Sequence, residues 1–323
     1  MKTILGRKNL SVFALHNDIV TVVFDKPDND KVNILCPQTM HELAEAVELL
    51  EGLAAQGKLK AIIFVSGKSQ CFIAGADINA LVKLQDAPME EVFSGCQDGA
   101  ALFARIERFA AELHVPSIAC VHGACFGGGL ELALACSTIL ASDDKVTKFG
   151  LPEPLLGLLA GWNGNVRLAQ RLGFLPAFSL ILNPFQPWSA RKALNMGLAT
   201  ELMPAAALGD RALELARLGA PISTGKGSLW RTVGNTALVR HTVLGVAEIL
   251  KVITQLDLVK FPFPGMMAAV EVTNAVFDQG PAAASRLESK RFAELIAGPA
   301  CRKGVATFLG RKDKKLPLPE ASK

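Results

Sequence analysis

Short apolar runs alternate with longer amphipathic stretches over the first two thirds of the chain. Ser11 to Leu15 and Ile19 to Phe24 are strand-length runs, and Asn17 and Asp18 between them predict a hairpin, because both residue types tolerate the backbone of a tight connection. Pro37 to Leu53 instead sets Met40, Leu43, Ala46, Val47 and Leu50 at helical spacing. Ala61 to Val65 is apolar throughout, as a parallel strand covered on both faces is. The pattern continues with a helix near Val92 to Leu113, a strand at Ser117 to Val121, a short helix from about Gly129 and a strand near Thr138 to Ala141. Buried strands with helices between them specify an α/β core.

Beyond about Glu201 the period becomes helical. Ala205 to Leu218, Thr236 to Gln255 and Met266 to Phe277 carry apolar helical faces, and Phe261-Pro262-Phe263-Pro264-Gly265 interrupts the chain between the last two. The expected organisation is a core over residues 1–205, a helical C-terminal region over 206–310 and a basic tail over 311–323. Whether the helical region is a separate domain or an arm on the core is left open by the pattern.

Composition narrows the class. With 323 residues, half of them hydrophobic and a fifth charged, the chain reads as soluble and globular, with no apolar run long enough to span a membrane. The seven cysteines are odd in number and lack paired spacing, so neither a disulfide framework nor a metal site is expected, and a reducing, cytoplasmic setting fits. The net charge of +4 is concentrated after residue 300, and without a basic stripe elsewhere a nucleic-acid partner is not expected.

Candidate chemistry lies between residues 71 and 167. The segment from His122 to Glu131 leaves a buried strand, passes Gly127-Gly128-Gly129 and enters an apolar helix, so its backbone N–H groups and helix N-terminus suit an oxyanion or a phosphate. Close strand-to-helix packing would use the same glycines. The nucleotide-binding glycine fingerprints are not met, here or at Gly225-Lys226-Gly227. A second small-residue turn runs from Cys71 to Ile78. In Gly150-Leu151-Pro152-Glu153-Pro154 a carboxylate sits in an apolar setting that should raise its pKa.

Together these segments resemble the crotonase, or enoyl-CoA hydratase and isomerase, superfamily. The resemblance is strongest over residues 11–205, and is nearest to the hydratase portion of the multifunctional fatty-acid oxidation α subunit, without the dehydrogenase module that follows there. It implies a crotonase-type α/β fold, a spiral of ββα units closed by C-terminal helices, and hydration of a trans-2-enoyl-CoA in acyl-CoA metabolism. Isomerisation of a Δ3-enoyl-CoA, or acyl-CoA binding without turnover, are the alternatives.

By the same resemblance, the backbone N–H groups of Ala76 and Gly128 form the oxyanion hole. Glu131 and Glu153 are the catalytic carboxylates, and Gly161 helps to bind the water. Lys31, Ala74, Asp77 and Ile78 lie along coenzyme A, which enters as substrate thioester, so no cofactor or metal is implied. Single-module relatives assemble as trimers or dimers of trimers; a helical region covering that surface would leave a monomer or dimer, and a separate dehydrogenase could dock on the tail. The sequence departs from the family in Ala160-Gly161-Trp162-Asn163-Gly164-Asn165-Val166, where Trp162 replaces a small residue. The indole either narrows the acyl pocket or points into the core or an interface.

Overall fold

A computed structural model describes residues 2–27, 31–219, 234–242 and 263–313. Its larger sheet has seven strands in the order β1-β2-β3-β4-β6-β8-β11, formed by Lys2–Gly6, Leu10–Ala14, Ile19–Phe24, Ala61–Ser66, Ser117–Val121, Thr138–Ser142 and Glu201–Met203. The hairpin closes as expected, with Asn17 and Asp18 at φ 64° and 59° and β2 antiparallel to β3. From β3 onward the pairings are parallel. The N-terminal residues add β1 to the edge, antiparallel to β2.

A second sheet of four strands runs β10-β9-β7-β5, from Trp188–Ser189, Lys148–Gly150, Ala124–Phe126 and Cys71–Ile73. The chain alternates between the sheets. Strand β4 in the large sheet is followed by β5 in the small one, β6 by β7 and β8 by β9, and each pair leads into helical structure. This is the crotonase spiral of ββα units. Its helices are α1 (Pro37–Ala55), α2 (Ile78–Leu84), α3 (Met89–Ala111), α4 (Gly128–Ala135), α5 (Gly164–Leu172), α6 (Phe174–Ile181), α7 (Ala190–Asn195) and α8 (Leu208–Leu218).

The apolar strands are apolar because both faces are covered. Val20, Val22, Ile62, Phe64 and Val121 join the main core with α1, α3 and α4, while Ile19, Ala61, Ile63, Ile118 and Leu140 pack against Leu208, Ala212 and Leu215 of α8. Helix α3 lays Val92, Cys96, Gly99, Phe103, Ile106 and Ala110 along one buried stripe, and Glu90 and Glu91 complement the dipole at its start. Fully burying each large aliphatic or aromatic side chain contributes roughly 1.5–3 kcal/mol.

Three more helices follow residue 262: α9 (Phe263–Asp278), α10 (Pro281–Ile296) and α11 (Pro299–Asp313). They pack back onto the spiral, α10 against α3 and α5, and α9 against α5 and α6. The helix expected over Thr236 to Gln255 lies largely outside the described residues, as do Gly225-Lys226-Gly227 and the tail beyond Asp313. Of the break expected over Phe261 to Gly265, residues 263–265 are described, and they open α9 as helix.

Candidate active site

Three buried carboxyl groups and two small-residue turns meet where the small sheet gives way to helices. The turns approach closely because glycine allows it. A Cβ on Gly123 (φ +67°) would fall 2.0 Å from the Gln70 carbonyl, and one on Gly129 would fall 2.3 Å from the Ile73 carbonyl oxygen. The turn into α4 thereby seats against β5, and a Cβ on Gly127 would lie 3.6 Å from the Gly75 Cα. Gly128 is the first residue of α4, so its N–H has no acceptor within the helix. Leu35 bonds to the residues on either side of Ala76, donating to the Gly75 carbonyl and accepting from the Asp77 N–H. In such a parallel bridge the N–H of Ala76 itself faces away from Leu35.

Glu131, in the first turn of α4, is 2% exposed. Its Oε1 accepts from the backbone N–H groups of Trp162 and Gly164, each at 2.8 Å. Burial pushes its pKa up to about 7, while the Trp162 N–H, the Arg167 guanidinium and the Gly164 N–H pull the other way. Gly164 is needed here: a Cβ would sit 2.9 Å from that same oxygen. The N–H groups that hold Glu131 thus come from Trp162 and Gly164, whereas Gly161 backs onto the ring of Phe292.

Glu153 opens a short 3-10 turn after β9. Its Oε1 lies against Gly127, where a Cβ would be 2.4 Å away, and its Oε2 is sealed from solvent without a hydrogen-bond partner. Burial and the nearby charge of Glu131 raise its pKa, to about 8. The two carboxyls therefore have unequal settings. Glu131 has donors that favour its charge, and Glu153 has a neighbour that opposes it.

Trp162 reaches the centre of this group. A Cβ on Gly128 would fall 2.6 Å from its Cζ3, and one on Gly99 of α3 would fall 2.3 Å from its Cδ1. The indole packs edge-on to Phe103, ring centres 5.8 Å apart, and fills the space between α3 and the start of α4. Arg167 fixes this loop from behind, donating to the Trp162 and Ala100 carbonyls and to Glu107.

Of the expected coenzyme A contacts, Ala74 donates to the Asn33 carbonyl, Asp77 caps α2 by accepting from the Asn79 N–H, and Ile78 begins that helix. Lys31 is exposed on the segment leading into Asn33. Buried Asn33 ties these pieces together: its Oδ1 accepts from the Lys26 N–H, and its Nδ2 donates to Phe24, Ser66 and Phe72.

Sequence reasoning missed the third carboxyl, Glu288 of α10, which is fully buried. Its Oε2 accepts from both the backbone N–H and Nδ2 of Asn165 at 3.1 Å, and its Oε1 has no partner. A signal was present. Ala284, Glu288, Phe292 and Ile296 recur at helical spacing, which sets an acid within an apolar stripe.

A spiral of paired strands enclosing carboxyls beside two small-residue turns defines a crotonase-superfamily protein. The chain belongs to the enoyl-CoA hydratase/isomerase family, whose profile matches residues 15–223. Solved structures share the fold along nearly the whole length. An enoyl-CoA hydratase/isomerase from Xanthobacter autotrophicus Py2 is 20% identical, with a TM-score of 0.64 over 97% of this chain and 100% of that one. The human mitochondrial Δ3-Δ2-enoyl-CoA isomerase is 19% identical, with a TM-score of 0.64 over 96% and 100%. An enoyl-CoA hydratase from Bacillus anthracis is 20% identical, with a TM-score of 0.57 over 94% and 96%. Among the described residues no helix is long and apolar enough to cross a membrane, and no cluster of His, Cys, Asp or Glu is arranged to hold a metal.

Proposed function

We propose that the protein is an enoyl-CoA hydratase acting on trans-2-enoyl-CoA thioesters with short acyl chains. The observation that carries this is the unequal pair Glu131 and Glu153. Adding water across a double bond needs one group to take a proton and another to give one, and the pair separates these roles. Glu131, charged and held by two N–H groups on Oε1, keeps Oε2 to take a proton from water as the water oxygen attacks C3. Glu153, kept protonated by its sealed setting, delivers its proton to C2. The negative charge that develops on the thioester oxygen falls between the N–H groups of Ala76 and Gly128, the latter at the positive end of α4. Proton transfer from Glu131 back to Glu153 after product release restores the starting state.

Coenzyme A is the substrate's handle here and not a resident cofactor, and the Ala74 to Ile78 backbone with Lys31 is its proposed contact. The short-chain preference rests on Trp162, whose indole takes the space beside Gly128. An isomerase needs only one acid to move a proton, so the second buried carboxyl favours hydration. The test is chromatographic separation, with mass analysis, of the products from a trans-2- and a trans-3-enoyl-CoA of six carbons. Gain of one water by the trans-2 substrate is expected. Conversion of the trans-3 substrate without any hydration would replace this reading with isomerisation.

A further inference from the structure

Glu131 and Glu288 compete for one stretch of backbone. The N–H groups of Trp162 and Gly164 point to Glu131, while that of Asn165 points to Glu288, and the Asn163 N–H also favours charge on Glu288. Three donors at the start of α5 are therefore shared between an acid on α4 and an acid on α10. A helix start that is held on both sides cannot rotate or shift without releasing one of them. Asn165 strengthens the far side with its side chain, making a two-pronged contact to Glu288 Oε2.

Resting on the hydratase reading above, we propose that Glu288 is a positioning residue for the catalytic base: by clamping Asn165 it fixes the first turn of α5, and with it the two N–H groups that hold Glu131. It touches no reacting atom in this account. The groups facing the pair are Glu153 from the 3-10 turn, Cys96 from α3, and Arg167 from α5 with its partner Glu107 from α3. Arg167 is the cation among them, and it is paired with Glu107 and acts on Glu131. Glu288 therefore stays protonated while Glu131 carries the charge, and a neutral carboxyl still accepts from Asn165 through its carbonyl oxygen.

Two variants separate this from a plain packing role. Glu288→Gln keeps an acceptor for Asn165, and Glu288→Leu keeps the volume without one. The readout in the free protein is the titration of the Glu131 carboxyl by 13C NMR, assigned by its loss in Glu131→Gln, which needs no turnover. Glu288→Leu is expected to raise the Glu131 midpoint by about one pH unit, since its donors drift. It should also lower kcat by about 100-fold with KM within a few-fold, as displacement of a catalytic group does. Glu288→Gln is expected to keep both near wild type. An unmoved Glu131 titration in a folded Glu288→Leu protein, or Gln as deficient as Leu, would overturn the proposal. Should the Leu variant not fold, Asn165→Ala removes the side-chain half of the clamp and must shift Glu131 in the same direction; no shift there overturns it equally. A wild type without hydration would end the hydratase reading while leaving the titration to decide the clamp.

Discussion

A carboxylate taken out of water without a cation of its own must find N–H donors or hold its proton, and that choice separates the acids of this site. Glu131 found donors in Trp162 and Gly164, whereas Glu153 Oε2 found none. The residue with the sharpest consequence for specificity is Trp162. Replacing it with Gly empties the space between Gly99 and Gly128, so kcat/KM for an eight-carbon enoyl thioester relative to a four-carbon one should rise at least about 10-fold, given 1–3 kcal/mol per accommodated methylene. Unchanged ratios in a folded variant would place the acyl chain elsewhere. The sequence carried Glu131, Glu153 and the oddity of Trp162, but not which way the indole points, because that depends on α3 presenting Gly99. Glu288 was hidden by its distance along the chain, although its place in an apolar stripe was readable.

At the scale of elements, the strands that were legible, β2, β3, β4, β6 and β8, are runs of five or six residues, and the helices that were legible, α1, α3, α4, α8 and α9, show an apolar helical stretch. The small sheet escaped notice because its strands are two or three residues long, too short for any alternation. What builds that sheet is close backbone approach, and glycines mark it. Gly129→Ala therefore tests the architecture directly. The added methyl would meet the Ile73 carbonyl, which is backbone and cannot swing aside, so a loss of roughly 1–3 kcal/mol is expected by denaturant unfolding. Stability equal to wild type would mean that α4 does not press on β5 as described. Asn33→Leu should cost a similar ~2–4 kcal/mol, since it strands the polar groups of three chain segments at once.

For the whole molecule, three buried acids on one cluster predict an unusual pH dependence. The pKa values of Glu131, Glu153 and Glu288 all stand above the ordinary 4.5, at about 7, 8 and 8, with burial as the leading cause. The folded state then binds more protons than the unfolded one between those limits, so stability is full below about pH 4.5 and falls as pH rises toward 8. Glu51 and Glu201, held low by arginine partners, act in the window below 4.5 and do not mask this. The melting temperature should decline from pH 5 to pH 9, and less steeply in Glu288→Gln; a flat or rising profile would contradict the buried-acid arrangement. The central claim, that two acids divide one hydration, is tested most directly by following loss of the enoyl-thioester ultraviolet absorbance of crotonyl-CoA with wild type, Glu131→Gln and Glu153→Gln. Turnover by wild type and a fall in kcat of about 10²–10⁴-fold in each variant is the predicted result. Full activity in either variant, or no hydration by wild type, would contradict it.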